Sequence, residues 1–519
     1  MRPLARAFGA AAALALVAAC ATNPATGKRQ VMLVGEAQEI AMGQEANQEV
    51  ATSIGLYPDQ AVQTYVSGVG STLAAVSERP SLPWAFHVVD DAAVNAFALP
   101  GGFVYVTRGL MTHLSSEAEL ASVVGHEIGH VTARHSVSQV TKSQLATLGL
   151  VAGMIVRPEL ARFGDLAQAG MGLLFLKFGR NDEQQADDLG LRYMTRGDYD
   201  PREMVKVFDV LDRVGQASEA GRLPSWLSTH PAPENRARRI QAAIQAQHLT
   251  GTRLDAREYL GHVDGMTFGE NPREGFFEGA AFFHPELRFQ IRFPSGWRTQ
   301  NQKQAVGASS PQGDAIVVLT LAPGSSAEQA ANEFLRQQGL RTAGAERTRI
   351  GGLDAVTAVV EAVSGDQPIA ARVAFVEHAE KVYRLLGYTP SSRWGAYDRA
   401  FADSIASFAP LADRRYLDVQ PKRVKVVEVT QPMTVVELAR RHGASVPADV
   451  LALINGVPAG GTLPAGQPAK VVIGGRLPGE DRPGRRPPLS RSVSPRAGGR
   501  PTPRPARSRR TPRDVAAAT

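Results

Sequence analysis

The chain has 519 residues, more than one hydrophobic core usually organises, so two to four folded units are expected. Its net charge of +7 suggests a polyanion-binding protein, but the twelve arginines from Arg476 to Thr519, against Glu480, Asp481 and Asp514, give that segment +9. Subtracting +9 from +7 leaves −2 for the remaining chain, which argues against nucleic acid as a partner. The single cysteine excludes a disulfide framework and a cysteine-based zinc site.

The N-terminus has the pattern of a secretory signal. Two arginines precede an apolar stretch, Phe8–Ala19, that ends immediately before Cys20. The stretch is shorter than the roughly 20 residues that span a bilayer, so cleavage and lipid modification of Cys20 are favoured over a short membrane anchor. Ala21 stands where aspartate would suggest inner-membrane retention in bacterial lipoproteins, so we expect a periplasm-facing lipoprotein of the outer membrane.

Residues 21–265 are expected to form the first folded domain. Ser116 and Glu119 match an N-terminal capping box ahead of apolar residues at helical spacing, which predicts a long helix carrying His126 to His135. Helices and strands are also predicted over Glu36–Ile54, Trp84–Val89, Gly102–Thr107, Asn181–Thr195, Pro201–Val214 and Pro233–Gln247. The glycine-containing apolar stretches Gly149–Val156 and Ala169–Leu176 are expected to be buried helices or a flap.

Three further segments follow. Residues 276–411 alternate strands with two helices, which predicts a separate α+β module, and residues 424–474 form a small third unit. The segment 475–519 is rich in proline, arginine and serine and is expected to be disordered.

The segment His126-Glu127-Ile128-Gly129-His130 is an HExxH motif on the predicted long helix. Residues four apart share a helix face, so both imidazoles can reach one Zn²⁺ ion. Glu127 lies beside them, where its carboxylate can take a proton from the attacking water. The motif therefore predicts one zinc ion per chain and requires a third ligand.

A third ligand is predicted on the helix near residue 185. Glu183 and Asp187 lie one turn apart on a face shared with Ala186 and Gly190, which are small enough for close packing. A solvated acidic helix face is the simpler interpretation in isolation. Beside HExxH, Glu183 is favoured as the third zinc ligand and Asp187 as the acceptor that orients a ligating histidine.

His230 is a further candidate, because a histidine before a proline lies in a turn or extended segment. It could point into a cleft as an oxyanion donor or a reversible zinc ligand, whereas alone it would be interpreted as polar surface. Arg236 follows six positions later in the sequence.

Together these motifs resemble the HtpX and CAAX-prenyl-protease type of zinc metallopeptidase, peptidase family M48. The likeness lies in HExxH, the Glu183–Gly190 segment and Ser228-Thr229-His230-Pro231 with Arg236, and extends to Asn95–Gly109. It covers approximately residues 20–265 and is greatest to the periplasmic branch that includes the β-barrel assembly-enhancing proteases. The resemblance implies zinc ligands His126, His130 and Glu183, catalytic Glu127, and His230 as an auxiliary that blocks or assists the zinc.

His135 and the strand near residue 104 need separate interpretation. His135 follows the second ligand by five residues, whereas the metzincin pattern needs six with an intervening glycine, so His135 is interpreted as structural. The strand with Gly102, Phe103, Val104 and Tyr105 is either an exposed edge that pairs with extended substrate or an ordinary covered strand.

The C-terminal units carry weaker likenesses. Residues 276–411 look like PsbP/Mog-type α+β domains, which implies binding, and residues 424–474 resemble a LysM peptidoglycan-binding module of βααβ form. Pro432-Met433 replaces the usual Gly-Asp of that motif, so a small structural cap is the alternative. The expected fold is a multidomain α+β chain with a helix-rich, gluzincin-like zincin domain and a small β-sheet.

We therefore expect a zinc-dependent metalloendopeptidase of the bacterial cell envelope that acts on unfolded or misassembled envelope proteins. It is expected to meet the membrane through Cys20 and peptidoglycan through 424–474. The alternative is a non-enzymatic envelope assembly or tethering factor with a latent or structural zinc site.

Overall fold

The structure is a computed structural model that describes residues 20–143, 177–217, 226, 230, 235–364 and 367–478. The expected signal peptide before Cys20, the stretches Gly149–Val156 and Ala169–Leu176, and almost all of the arginine-rich tail lie outside these residues. The described residues all belong to one unit, which ends at Pro478.

The elements of the first domain largely match the sequence prediction. In chain order they are β1 (Cys20–Thr22), β2 (Arg29–Val31), α1 (Glu36–Ser53), α2 (Gln60–Ala75), β3 (Ala85–Val89), β4 (Ala96–Leu99), β5 (Phe103–Thr107), α3 (Arg108–His113), α4 (Glu117–Thr132), α5 (Arg180–Arg196), α6 (Arg202–Ala217), α7 (Arg236–Ala246) and α8 (Ala256–Val263). Most predicted helices and strands are confirmed to within three residues at each end. The prediction that the long helix carries His135 is wrong, because α4 ends at Thr132 and Arg134 has a left-handed φ of 57° that breaks the helix. The elements β1, β2, α2, β4, α3 and α8 were not predicted.

Helix α4 is buried along its whole length and forms the centre of this domain. The Ser116 hydroxyl accepts a hydrogen bond from the Glu119 amide at 3.1 Å, which satisfies one free N–H group of the first turn. The Glu119 carboxylate accepts from the amide of Ser115 instead of Ser116. The predicted cap at Ser116 is therefore confirmed, with the return hydrogen bond displaced by one residue.

The three-stranded sheet beside α4 has the order β3-β5-β4, with β5 parallel to β3 and antiparallel to β4. Phe103, Val104 and Tyr105 lie on a central strand paired on both sides, so of the two alternatives for this strand the exposed edge is wrong and the covered strand is correct. Every residue from Phe103 to Thr107 is buried, as expected for a strand covered on both faces. The edge strand that contacts α4 is β4.

Helices α4 and α5 cross at glycines, which lets their backbones approach closely. A Cβ atom on Gly129 would lie 2.9 Å from the carbonyl oxygen of Ala186, and one on Gly190 would lie 2.9 Å from the amide nitrogen of His126. Any larger residue would push the helices apart. This crossing brings the middle of α5 against the HExxH segment.

Residues 276–411 contain two antiparallel sheets and two helices that pack on them, and their separation as a module stays a prediction. A seven-stranded antiparallel sheet has the order β12 (Arg341–Ile350), β13 (Leu353–Ser364), β14 (Gln367–His378), β15 (Lys381–Pro390), β11 (Ile316–Ala322), β10 (Ala305–Ser309) and β9 (Arg298–Gln302). A four-stranded sheet has the order β16 (Ala409–Pro410), β8 (Phe289–Arg292), β7 (Ala281–His284) and β6 (Phe276–Glu278). Helices α9 (Ala327–Leu335) and α10 (Trp394–Ala406) pack on the strands.

The third unit packs back onto the first domain. It follows α11 (Arg414–Leu417) and contains β17 (Lys422–Glu428), β18 (Met433–Thr434), α12 (Val435–His442), α13 (Ala448–Ile454), β19 (Thr462–Leu463) and β20 (Pro468–Gly474). Val424 and Leu453 join the hydrophobic core of the first domain. The ammonium group of buried Lys470 donates to the carbonyl oxygens of Thr112, at 3.2 Å, and Leu114. The unit is therefore docked through apolar and polar contacts.

Among the described residues, no helix combines the length and apolar character needed to cross a membrane.

Candidate metal centre

His126 and His130 lie one turn apart on α4, and both are buried. Their Nε2 atoms are 3.1 Å apart. The predicted convergence of the two imidazoles on one point is therefore confirmed.

Glu183 reaches the same point from α5. Its Oε2 lies 3.6 Å from His126 Nε2, and its Oε1 lies 3.5 Å from His130 Nε2. The α4–α5 glycine crossing positions the carboxylate there, which places three predicted ligands together although Glu183 comes 53 positions after His130 in the sequence.

His230 completes a group of four potential ligands whose nitrogen and oxygen atoms all lie within 4.8 Å of one another. Its Nδ1 is 2.9 Å from Glu183 Oε1, and its Nε2 is 3.6 Å from Glu127 Oε1. Burial alone would lower the pKa of His230, but the adjacent Glu127 and Glu183 carboxylates outweigh it, so the pKa is raised. His135 is not part of the group, in agreement with its interpretation as structural.

The spacing of these atoms suits a zinc ion. Ligands about 2.0–2.2 Å from one tetrahedral ion lie roughly 3.3–3.6 Å apart, close to the separations among His126, His130 and Glu183. Within the described part of the chain, Glu183 Oε2 and Glu127 Oε1 are buried and have no hydrogen-bond partner. A divalent cation would compensate this buried negative charge, so the residues fit the metal.

Glu127 follows His126 on α4, and its Oε1 lies 3.6 Å from His230 Nε2. Burial raises the pKa of its carboxyl group, and the partial positive charge of neighbouring histidines opposes that effect only in part. A raised pKa makes the carboxylate a better proton acceptor, as a general base requires.

Asp187 and Arg236 lie on the Nδ1 side of the His126 ring, opposite the Nε2 atom that faces the other ligands. Asp187 Oδ1 lies 3.0 Å from His126 Nδ1, and Arg236 Nε donates to Asp187 Oδ2 at 3.0 Å. Burial alone would raise the pKa of Asp187, but the Arg236 guanidinium and the His126 hydrogen bond hold it well below its usual value. A permanently ionised Asp187 fixes the His126 tautomer with Nε2 free for a metal, as predicted for this position.

Arg236 also approaches the ligand carboxylate, since its Nη1 lies 3.3 Å from Glu183 Oε2. Arg239, which the sequence analysis missed, donates from Nη2 to Asp187 Oδ2 at 2.9 Å. It is one helical turn beyond Arg236 on α7, so helical spacing from Arg236 could have identified it.

Two aromatic residues that the sequence analysis also missed cover the histidines. The ring of Trp226 stacks on His230 with centroids 4.3 Å apart, and the ring of Phe178 lies 4.1 Å from that of His130. Both side chains are buried. They exclude water from one side of the site, and no spacing rule in the sequence identifies them.

Comparison with known proteins agrees with this geometry. Residues 60–244 match the family model described as peptidase family M48. The chain is 36% identical over 195 residues to "Mitochondrial metalloendopeptidase OMA1" of Arabidopsis thaliana, covering 37% of this chain and 38% of that protein. It is 31% identical over 209 residues to "Beta-barrel assembly-enhancing protease" of Yersinia pestis, covering 38% and 42%. The chain thus spans less than half the length of either relative.

Several solved structures are similar to a part of the chain. A cyanobacterial PsbP from Synechocystis covers 26% of this chain and 95% of its own length, at 16% identity and a TM-score of 0.21. Because that score is below 0.5, the PsbP-type likeness of residues 276–411 stays a prediction.

Proposed function

Because residues 60–244 belong to peptidase family M48, we propose that this chain is a zinc-dependent metalloendopeptidase that cleaves unfolded or misassembled proteins of the cell envelope. The observation that carries the proposal is the meeting of His126, His130 and Glu183 at one buried point with Glu127 beside them.

The residues of the site have separate roles in the proposed reaction. Zinc, when held by His126, His130 and Glu183, supplies Lewis-acid chemistry that polarises the scissile carbonyl and acidifies water. Glu127 then accepts the proton of the attacking water and delivers it to the amine that leaves. Burial raises the pKa of this carboxyl group, which makes the carboxylate a stronger base toward water.

His230 has two roles in this proposal. In the arrangement described it belongs to the ligand group and contacts Glu183, so it occupies space that a substrate carbonyl needs. Once displaced, its N–H group can donate to the carbonyl oxygen as negative charge develops there. If occupancy of the ligand group limits the rate, His230→Ala raises turnover; if donation to the carbonyl oxygen matters more, the same variant lowers it.

Substrate is proposed to bind in extended form along β4. This strand is an edge of the small sheet and contacts α4, so its unpaired backbone groups can form hydrogen bonds with another chain. Hydrogen bonds between the main chains of β4 and the substrate depend little on the substrate's side chains. Only unfolded segments have main-chain groups free to form them. These two features favour unfolded proteins as the substrate class.

The proposed cellular location of the protein is inferred from the sequence. The apolar stretch before Cys20 suits a lipoprotein signal, and Ala21 suits an outer-membrane lipoprotein that faces the periplasm. Residues 424–474 are proposed to meet peptidoglycan through the face that carries Gln431, Glu437 and Arg440, which line a cleft.

The enzyme proposal is tested with purified protein and an unfolded substrate such as reduced casein. Glu127→Gln should retain one zinc ion per chain and lose cleavage, because the amide cannot accept the proton of water. Glu45→Gln, the same change at an exposed position on α1, should cleave like the parent. Equal cleavage by the parent and Glu127→Gln would refute the proposal.

A further inference from the structure

His135 lies directly behind His130, on the side away from the other ligands. Its Nδ1 is 2.9 Å from His130 Nδ1, and the two rings meet edge to face with centroids 4.9 Å apart. Its other nitrogen, Nε2, is 2.8 Å from the side-chain oxygen of Gln185 on α5. His135 is buried, so these are its hydrogen bonds in place of water.

The direction of the two hydrogen bonds follows from the chemistry of imidazole. A neutral ring carries one proton, so one of the facing Nδ1 atoms donates and the other accepts. A metal at His130 Nε2 requires an unprotonated Nε2, which leaves the ring proton on Nδ1 and makes His130 the donor. His135 then accepts at Nδ1 and donates its own proton from Nε2 to the Gln185 oxygen.

The opposite direction conflicts with metal binding. If His135 donated from Nδ1, the proton of His130 would be on Nε2, where it blocks coordination. The Gln185 oxygen disfavours that state, because it accepts only from a protonated His135 Nε2. Asp182 Oδ1 is 3.9 Å from His135 Nε2 and beyond hydrogen-bond range.

We propose that His135 and Gln185 are positioning residues that fix the tautomer and ring orientation of His130 for zinc. The inference rests on the proposed metal site. It makes the two histidine ligands unlike: an ionised carboxylate supports His126, and a neutral imidazole supports His130. Because Gln185 lies two residues after Glu183, α5 supplies both a metal ligand and the support of a second one.

The test compares two amides at position 135. His135→Asn keeps a carbonyl oxygen where Nδ1 was, so it still accepts from His130. His135→Gln carries the same group one bond further along, near the former Nε2, and cannot accept from His130 without displacing the chain. The zinc dissociation constant of each purified protein is measured by competition with a chromophoric chelator.

We expect His135→Gln to bind zinc about 10–100-fold more weakly than the parent, as for the loss of other partners that orient a ligating histidine. His135→Asn should remain within about threefold, since the accepting atom is kept. The absorption spectrum of the cobalt(II) form should be unchanged in His135→Asn and altered in His135→Gln. Equal zinc affinity in both variants, whether high or low, would overturn the inference.

A second pair of variants, at Gln185, tests the same hydrogen bond without changing the buried residue His135, whose substitution could cause misfolding. Gln185 is only partly buried, and Gln185→Glu keeps an acceptor for the His135 N–H group whereas Gln185→Leu removes it. We expect the leucine variant to bind zinc several-fold more weakly and the glutamate variant to match or exceed the parent. Unchanged affinity in Gln185→Leu would count against the inference. Failure of the parent to bind zinc would instead refute the proposed function.

Discussion

Replacing Gly190 by alanine should separate α5 from α4 and weaken zinc binding at least tenfold. An added Cβ would lie 2.9 Å from the amide nitrogen of His126 and 3.1 Å from the carbonyl carbon of Gly125. Ordinary contacts begin near 3.4 Å, so the helices must part by about 0.5 Å. Both opposing atoms belong to the backbone of α4, so no side-chain rotation can relieve the contact.

Zinc affinity is sensitive to this small displacement of α5. Glu183 lies two turns before Gly190 on the same face of α5, so the added methyl group moves the ligand carboxylate with the helix. Metal–ligand distances tolerate only about 0.2 Å of error, less than half of the expected shift. Overpacking at such a crossing also costs about 1–3 kcal/mol of folding free energy.

The assay measures zinc affinity by chelator competition and the stability of the metal-free protein by urea unfolding. Gly68→Ala is the matched control, because Gly68 is also helical and an added Cβ there meets no atom within 4 Å. It should leave zinc affinity unchanged and stabilise the protein by up to about 1 kcal/mol. If Gly190→Ala bound zinc as tightly as the parent, the helix crossing would not be what positions Glu183.

Three other predictions follow from the same structure. Arg236→Lys should weaken zinc binding by about tenfold in the chelator assay, since an ammonium cannot hold Asp187 through two hydrogen bonds; unchanged affinity would contradict this. Burial raises the pKa of Glu119 from 4.5 to about 7, so the folded state binds more protons between these values and stability falls as pH rises. The melting temperature of the metal-free protein should therefore drop less from pH 5 to 7 in Glu119→Gln than in the parent, and equal drops would refute the assignment. Leu453→Ala should cost about 2–5 kcal/mol in urea unfolding because Leu453 lies in the core shared with the first domain, whereas exposed Leu321→Ala should change stability by less than about 0.5 kcal/mol; similar costs would show that the third unit is not docked.

Local spacing predicted much of the metal site. HExxH places His126 and His130 on one face of a helix whatever surrounds it, and Glu183 shares a face with the small residues that let α5 approach. The Ser116 cap was likewise visible, because a cap depends on residues close in sequence.

Features set by distant partners were not predicted. The strand at Phe103 is central because β3 pairs with it in parallel, and one strand's sequence does not reveal its partners. Similarly, Val424 exchanges backbone hydrogen bonds with the segment at Gly265 and Met266, which joins the third unit to the end of the first domain. The hydrogen bond between His135 and Gln185 also depends on tertiary packing, so spacing alone identified His135 only as a residue that is not a ligand.

The most direct test of the central claim is a crystal structure of the zinc-loaded protein with anomalous scattering recorded on both sides of the zinc absorption edge. We expect one zinc ion per chain, bound by Nε2 of His126, Nε2 of His130 and the carboxylate of Glu183 at about 2.0–2.2 Å. A zinc ion held by other residues, or a Glu183 carboxylate outside bonding distance of the ion, would contradict it.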